Sequence, residues 1–322
     1  MQSVLNYLKN DLERVEAQFR KDLDSEVLLI RKVGEYVLAS GGKRVRPMLL
    51  LLSARLAGYQ GDQHIGLASV VEFIHTATLL HDDVVDGADL RRGNASANAV
   101  WGNEASVLVG DFLFAKSFSI MVEAGNLGVL KSLSDATTMM AEGEVLQLIS
   151  TCDLDLNEDR YMAVVKNKTA VLMAAACHCG GLLANVSRQE AETLHTIGMN
   201  LGIAFQFMDD ALDYVADQET FGKMRGQDLA EGKMTLPLIE ALRRCSPEER
   251  ASVAEIIERD ETSDADLEQV VALIEKHDGI DYTRRRAAEL VQQAKQQLES
   301  FQDSEAKRAM ITLAEYIVGR SL

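Results

Sequence analysis

Apolar residues recur at three- and four-residue intervals along nearly the whole chain, and nowhere do they settle into the alternation of a half-buried strand. This spacing predicts helices over residues 4–19, 26–39, 46–58, 64–86, 104–123, 127–149, 158–184 and 188–215. After Pro237 the helices read as shorter and more charged, ending with 282–302 and 305–320. Glycines punctuate the pattern at Gly41-Gly42, Gly87, Gly93, Gly102, Gly180-Gly181, Gly222, Gly226 and Gly232. Ser187, followed by Arg-Gln-Glu, carries the pattern of a capping box. No Pro/Ser-rich linker interrupts the chain, which reads as one all-α domain over residues 1–322.

Composition agrees and adds constraints. Hydrophobic residues make up 47% of the 322, enough for a large core, and only three prolines occur. With 33 basic against 50 acidic residues the net charge is −17, which argues against a nucleic-acid partner. Any anion site must therefore be built locally. The four cysteines form no disulfide framework for a chain this long, and free thiols are expected. Cys177-His178-Cys179 looks metal-like but lies in a small-residue helical run without a second ligand pair, so packing is the expectation. No signal-type run opens the chain, and the apolar stretch 170–186 falls short of a membrane span. A soluble, cytoplasmic protein is expected.

Two segments do not fit a simple helical core. TLLHDDVVDGAD, Thr78 to Asp89, places Asp82, Asp83 and Asp86 at the end of a helix whose upstream turns are largely apolar. FQFMDDALDY repeats the arrangement with Asp209, Asp210 and Asp213. In each, the first and last carboxylates are i and i+4 and share a helix face. Clustered carboxylates repel without a cation, whereas Mg2+ prefers their oxygens together with water and substrate phosphate. Two solvated acidic helix ends would explain neither the apolar context nor the duplication.

Candidate anion contacts accompany them. Gly41-Gly42-Lys43-Arg44-x-Arg46-Pro47 sets cations and flexible backbone just before a helix, where N–H groups also favour phosphate. Arg91 and Arg92 follow the first aspartate segment in a loop; Lys168-Thr169, Lys223 and Lys233 are further candidates. Any one alone is more often a solvated surface charge. Together they suggest two anionic sites, one metal-dependent and one built from Arg, Lys and His75.

In this order, GGKRVRP, IHTATLLHDDVVDGADLRRG, KTA, FQFMDDALDY, the Gly-Lys at 222–223 and EGKMTLP closely resemble the trans-polyprenyl diphosphate synthases, the chain-elongating prenyltransferases of isoprenoid synthesis. The likeness is greatest to long-chain, octaprenyl-type bacterial members and extends over nearly the whole chain. It implies an all-α, single-domain helical bundle of the isoprenoid synthase type around a deep central cavity, in a homodimer. It implies condensation of isopentenyl diphosphate with an allylic prenyl diphosphate, giving a long all-trans polyprenyl diphosphate of the kind used for quinone side chains. Membrane contact would be peripheral at most, for product release.

By the same resemblance, Asp82, Asp83, Asp86, Asp209, Asp210 and Asp213 hold Mg2+, three ions per site when diphosphate is bound. Arg91, Lys168, Thr169, Gln206, Lys223 and Lys233 contact the allylic diphosphate. Lys43, Arg46, His75 and Arg92 hold isopentenyl diphosphate. Arg225 falls where the family varies and receives no role. Thr78 lies one turn before Asp82, and Thr78 and Ala77 are small where short-chain members often carry an aromatic ring. A long tunnel is expected, lined further down by Ile74 and Val71; close helix packing would also explain the small residues.

Other readings leave more unexplained. Glu72-Phe-Ile-His75 and Glu192-Thr-Leu-His195 match the ligand pattern of di-iron bundles, but the second copy lies in a polar stretch and the aspartates go unused. A terpene cyclase would not need the Lys43–Arg46 site. A non-catalytic subunit would be expected to have degraded aspartate motifs. A farnesyl or geranylgeranyl diphosphate synthase remains the alternative within the family. The 226–233 segment is a poor P-loop, since Met234 follows the lysine and no apolar strand precedes it.

Overall fold

The computed structural model describes residues 1–91, 93–215, 225–259 and 262–319. Helices dominate: α1 (Gln2–Asp22), α2 (Leu28–Ala39), α3 (Val45–Leu56), α4 (Gln63–Val85), α5 (Ala97–Trp101), α6 (Asn103–Ala124), α7 (Leu127–Ile149), α8 (Glu158–Val165), α9 (Val171–Leu183) and α10 (Arg188–Val215). They continue with α11 (Gln227–Ala230), α12 (Leu236–Arg244), α13 (Pro247–Ile257), α14 (Asp264–Lys276), α15 (Gly279–Leu298) and α16 (Glu305–Val318). The all-α expectation holds. Ser187 caps α10 as its sequence suggests: its hydroxyl accepts from the Glu190 N–H at 3.2 Å, while the Glu190 carboxylate accepts from the Ser187 N–H at 3.0 Å.

Two local features depart from the helical expectation. The helix expected over 158–184 is interrupted by a π turn at Lys166–Ala170 between α8 and α9. The loop after the first aspartates contains a minimal hairpin, β1 (Leu90–Arg91) against β2 (Asn94–Ala95), with Leu90 opposite Ala95 and Arg91 opposite Asn94. Both departures fall on expected ligand contacts.

Contacts sort the chain into two compact units. One comprises Met1–Thr137, Leu172–Gly198 and Lys295–Leu313; the other comprises Thr138–Val171, Met199–Ala294 and Ala314–Leu322. In the first, α4 is apolar around most of its girth, so it is wrapped rather than laid on a surface. Phe73, Ala77 and Leu80 pack with Phe19 and Leu23 of the α1 end, Val33 and Leu38 of α2, Ala97 of α5, and Val109 and Leu113 of α6. Phe19 and Phe73 stack with ring centroids 4.2 Å apart. Burying each such large side chain contributes about 1.5–3 kcal/mol. In the second unit, Tyr161 of α8, Phe207, Leu212 and Tyr214 of α10 and Leu236 and Leu238 of α12 are buried.

Among the described residues one helix, α6, is long and apolar enough to cross a membrane, with 39% of its most apolar window buried. The stretch singled out from sequence, 170–186, yields a shorter helix, α9, bounded by the π turn and by the left-handed Asn185.

Candidate active site

The first aspartate segment closes α4. Asp82 and Asp83 lie in its last turn, Asp86 caps it with its N–H donating to the Asp82 carbonyl at 2.8 Å, and Gly87 turns the chain at φ 61°. A helix C-terminus carries partial negative charge, so carboxylates there are disfavoured unless a cation answers them. For Asp83 the protein supplies it. Arg91 on β1 donates from Nε to both carboxylate oxygens at 2.7 and 2.9 Å, with Nη2 2.6 Å from Oδ1. Asp83 is 2% exposed, whereas Asp82 and Asp86 are half-buried. The hairpin is pinned behind Arg91: the Tyr36 hydroxyl donates to the Ala95 carbonyl at 2.8 Å, and Ser96 Oγ to the Ala88 carbonyl at 2.6 Å.

In the same unit the basic loop turns into α3 through Gly41 and the left-handed Arg44, φ 77° and 50°. That conformation costs a non-glycine residue about 1–2 kcal/mol. Arg44 is held in it by an ion pair with buried Glu72 and by donating from Nη2 to the Leu38 carbonyl at 3.1 Å. Glu72 is thereby an anchor of this loop, which removes it from the di-iron reading. Arg46 donates from Nη1 to His75 Nε2 at 3.2 Å; a guanidinium has no acceptor, so this ring nitrogen carries no proton. Lys43 is exposed beside them.

One helical turn before Asp82, Thr78 donates its hydroxyl to the His75 carbonyl at 2.8 Å, leaving its methyl as the presented group. Val71, Ile74 and Ala77 are fully buried, Ala77 in the core cluster with Phe19, Phe73 and Leu80. Thr78 alone of the four is half-buried.

The second segment ends α10, again at a helix C-terminus. Again the middle residue, Asp210, is 2% exposed while Asp209 and Asp213 are half-buried. Its donors are neutral. The Tyr161 hydroxyl donates to Oδ2, and Gln206 Nε2 donates to Oδ1 at 2.7 Å; Thr169 Oγ1 in turn donates to Gln206 Oε1 at 2.9 Å. Burial pushes the Asp210 carboxyl well above the ordinary carboxylate range. The charges of Asp228 and Asp209 add to the rise, and the two hydrogen bonds oppose it. Burial likewise raises the Tyr161 phenol, with the Asp210 charge adding to it.

Lys168 and Thr169 sit in the π turn, whose extra residue re-aims the side chains that follow it. Lys168 Nζ donates to Glu144 Oε2 and Gln147 Oε1, both at 2.6 Å. The turn needs Gly143 on α7, where an added Cβ would lie 2.5 Å from the Lys168 backbone nitrogen. Around α11 the chain folds back on α10. The Asp228 N–H donates to Asp213 Oδ2 at 3.1 Å, and the Lys233 N–H to the Asp228 carbonyl at 2.7 Å. Lys233 Nζ pairs with Glu231. Arg92 and Lys223 lie outside the described residues.

A family profile described as Polyprenyl synthetase matches residues 27–274. The chain belongs to this family. It is 45% identical over 310 residues to the octaprenyl diphosphate synthase of Escherichia coli, with 96% of each chain covered. The polyprenyl synthase of Caulobacter crescentus, solved with calcium and isoprenyl diphosphate, matches with a TM-score of 0.96 and 43% identity, covering 99% of this chain and 97% of that one. A decaprenyl diphosphate synthase from Rhodobacter capsulatus matches with a TM-score of 0.94 and 42% identity, covering 98% of each. The protein is a prenyltransferase with the all-α fold of these enzymes.

Among the described residues of this polyprenyl synthetase, no three His, Cys, Asp or Glu side chains form a group able to hold a metal by themselves. The donor set still fits a hard divalent ion. Asp82 with Asp86, and Asp209 with Asp213, offer only oxygens at half-buried helix ends, and Mg2+ completes its shell with waters and substrate phosphate. Calcium in the Caulobacter crescentus enzyme is in keeping with divalent metal use. By contrast, burial pushes the Cys177 and Cys179 thiols up to about 12, so they stay protonated and are poor metal ligands. Sequence reasoning missed Tyr161, Glu144 and Asp228. Asp228 could have been suspected from its place in GQDLAEGK; nothing along the chain marks Tyr161 or Glu144, which act through residues distant in sequence.

Proposed function

We propose that this polyprenyl synthetase condenses isopentenyl diphosphate with an allylic prenyl diphosphate to make a long all-trans polyprenyl diphosphate, octaprenyl-like in length and suited to a quinone side chain. The carrying observation is the duplicated helix end, with a buried, fully engaged middle aspartate between two half-buried ones. The 45% identity to an octaprenyl diphosphate synthase supports the length.

In this reading Asp82, Asp86, Asp209 and Asp213 are the metal-facing carboxylates, for three Mg2+ ions. Asp83 and Asp210 orient them rather than ligate, which revises the expectation of six ligands. Bound Mg2+ supplies Lewis-acid stabilisation of the charge that grows on a leaving diphosphate. Arg91, Lys168, Thr169 and Lys233, with Lys223 and through Gln206, donate to the allylic diphosphate. Lys43, Arg46, His75 and Arg92 hold isopentenyl diphosphate. Arg91, Lys168 and Lys233 each rest on a carboxylate, of Asp83, Glu144 and Glu231. These partners keep the cations in place within an acidic chain until a more highly charged diphosphate draws on them.

The donors stabilise the departing diphosphate, so the allylic C–O bond ionises. The isopentenyl double bond attacks the carbocation, forming the new C–C bond. Loss of a proton to the released diphosphate then restores an allylic diphosphate one unit longer. Apolar α4 residues keep water from the cation. The exposed apolar residues Val107, Leu108 and Val122 on α6 support a homodimer formed through that helix. A single folded domain in the cytoplasm completes the reading.

The test incubates purified protein, Mg2+ and isopentenyl diphosphate with primers of graded length and sizes the products. Long-chain products are expected, and no elongation of any primer would overturn the reading. Thr78→Phe should shorten the product; an unchanged distribution would remove Thr78 from length control.

A further inference from the structure

Tyr161 has no role in the function assigned so far, yet it is buried in the second unit with its hydroxyl aimed at Asp210. Its ring packs beside Phe207 of α10, centroids 5.9 Å apart and planes 24° from parallel, so the hydroxyl has little freedom to swing away. With Gln206 on the other oxygen, Asp210 is fastened on both sides. Asp209 and Asp213 are i and i+4 and share one face of α10, while Asp210 projects roughly 100° around the helix from Asp209. Fastening Asp210 inward therefore fixes the direction in which the other two carboxylates point. The same bonds continue through Gln206 to Thr169, beside Lys168.

We propose that Tyr161 is a positioning residue for metal and allylic diphosphate: by holding Asp210 it orients Asp209 and Asp213, and through Gln206 and Thr169 it ties that orientation to the diphosphate donors. This rests on the reading of Asp209 and Asp213 as metal-facing. A purely structural tyrosine would stabilise the fold and leave metal affinity alone.

The test compares wild type with Tyr161→Phe, which keeps the ring and removes only the hydroxyl. Mn2+ binding is measured by electron paramagnetic resonance with inorganic diphosphate present and no turnover, and Mg2+ dependence is measured in the assay. Tyr161→Phe should weaken Mn2+ binding and raise the Mg2+ half-saturation about tenfold, the usual scale for a partner behind a metal ligand. The KM for the allylic substrate should rise, while that for isopentenyl diphosphate should hold. Tyr282→Phe is the control. The Tyr282 hydroxyl donates to Glu158 at 2.6 Å, so its loss loosens the same helix α8 without touching the donors of Asp210. It should keep wild-type Mn2+ binding. Unchanged Mn2+ binding in Tyr161→Phe, or an equal loss in Tyr282→Phe, overturns the proposal. Absence of diphosphate-dependent Mn2+ binding in wild type would instead overturn the functional reading beneath it.

Discussion

The two aspartate segments share spacing, helix-end position and a buried middle carboxylate, but they neutralise that carboxylate differently. Asp83 is met by a guanidinium, Arg91, which touches both of its oxygens. Asp210 is met by a phenol and an amide. The buried carboxylate of the first helix end therefore meets a charged donor, and that of the second meets neutral donors. Without metal, the second end answers by raising the Asp210 carboxyl. One sequence pattern thus folds its buried carboxylate into two settings, one against a guanidinium and one among neutral donors.

The largest expected effects come from the carboxylates that both ends have in common. Asp82→Ala and Asp209→Ala should each lower kcat by roughly a thousandfold, as removal of several kcal/mol of transition-state stabilisation does, with unchanged circular dichroism. If only one of them does so, the likeness between the two ends is formal and not functional.

The next test separates the middle residues by stability. Asp83→Asn strips Arg91 of its counter-charge. Breaking a buried pair costs about 3–5 kcal/mol, but the Arg91 side chain is 24% exposed and can be rehydrated, so about 2 kcal/mol is expected in urea unfolding without metal. Asp210→Asn breaks no ion pair, because the donors to Asp210 are a phenol and an amide, and should cost less than half of that. Equal losses would erase the contrast.

The smallest effect is in pH dependence. Asp210 keeps its proton in the folded protein at pH values where the unfolded chain has released it, so the unfolded state binds fewer protons there. Metal-free stability should therefore fall as pH rises from the ordinary value of 3.8 toward the raised folded value. Melting temperatures in EDTA should show this slope in wild type and a shallower one in Asp210→Asn. Excess Mg2+ with diphosphate should flatten it as well. An identical slope in the variant would mean that other carboxylates set it.

Much of the fold was legible because helical periodicity and caps are local: 127–149 and 188–215 fall where their spacing puts them, and Ser187 caps as its neighbours suggest. The π turn was not legible. It depends on how closely the backbone of α7 approaches at Gly143, a contact between residues far apart in the chain. The hairpin at Leu90–Ala95 was missed for a similar reason, since two-residue strands have no periodicity to read. In the site, the aspartates and basic residues stood out by type and spacing, while their division of labour did not. Asp82 and Asp83 are adjacent in sequence, and the fold separates them by burying Asp83 against the Arg91 guanidinium while Asp82 stays half-buried.

By itself, the sequence determined the helical class, the duplicated carboxylates at helix ends, and the family whose motifs they match, because composition and spacing are properties of a chain. Tertiary structure alone decided which carboxylate of each trio turns inward, that Arg44 serves Glu72, and that Tyr161 holds Asp210. Each of those outcomes depends on which distant side chain can satisfy a buried polar group, and desolvation makes that choice only once the helices have packed.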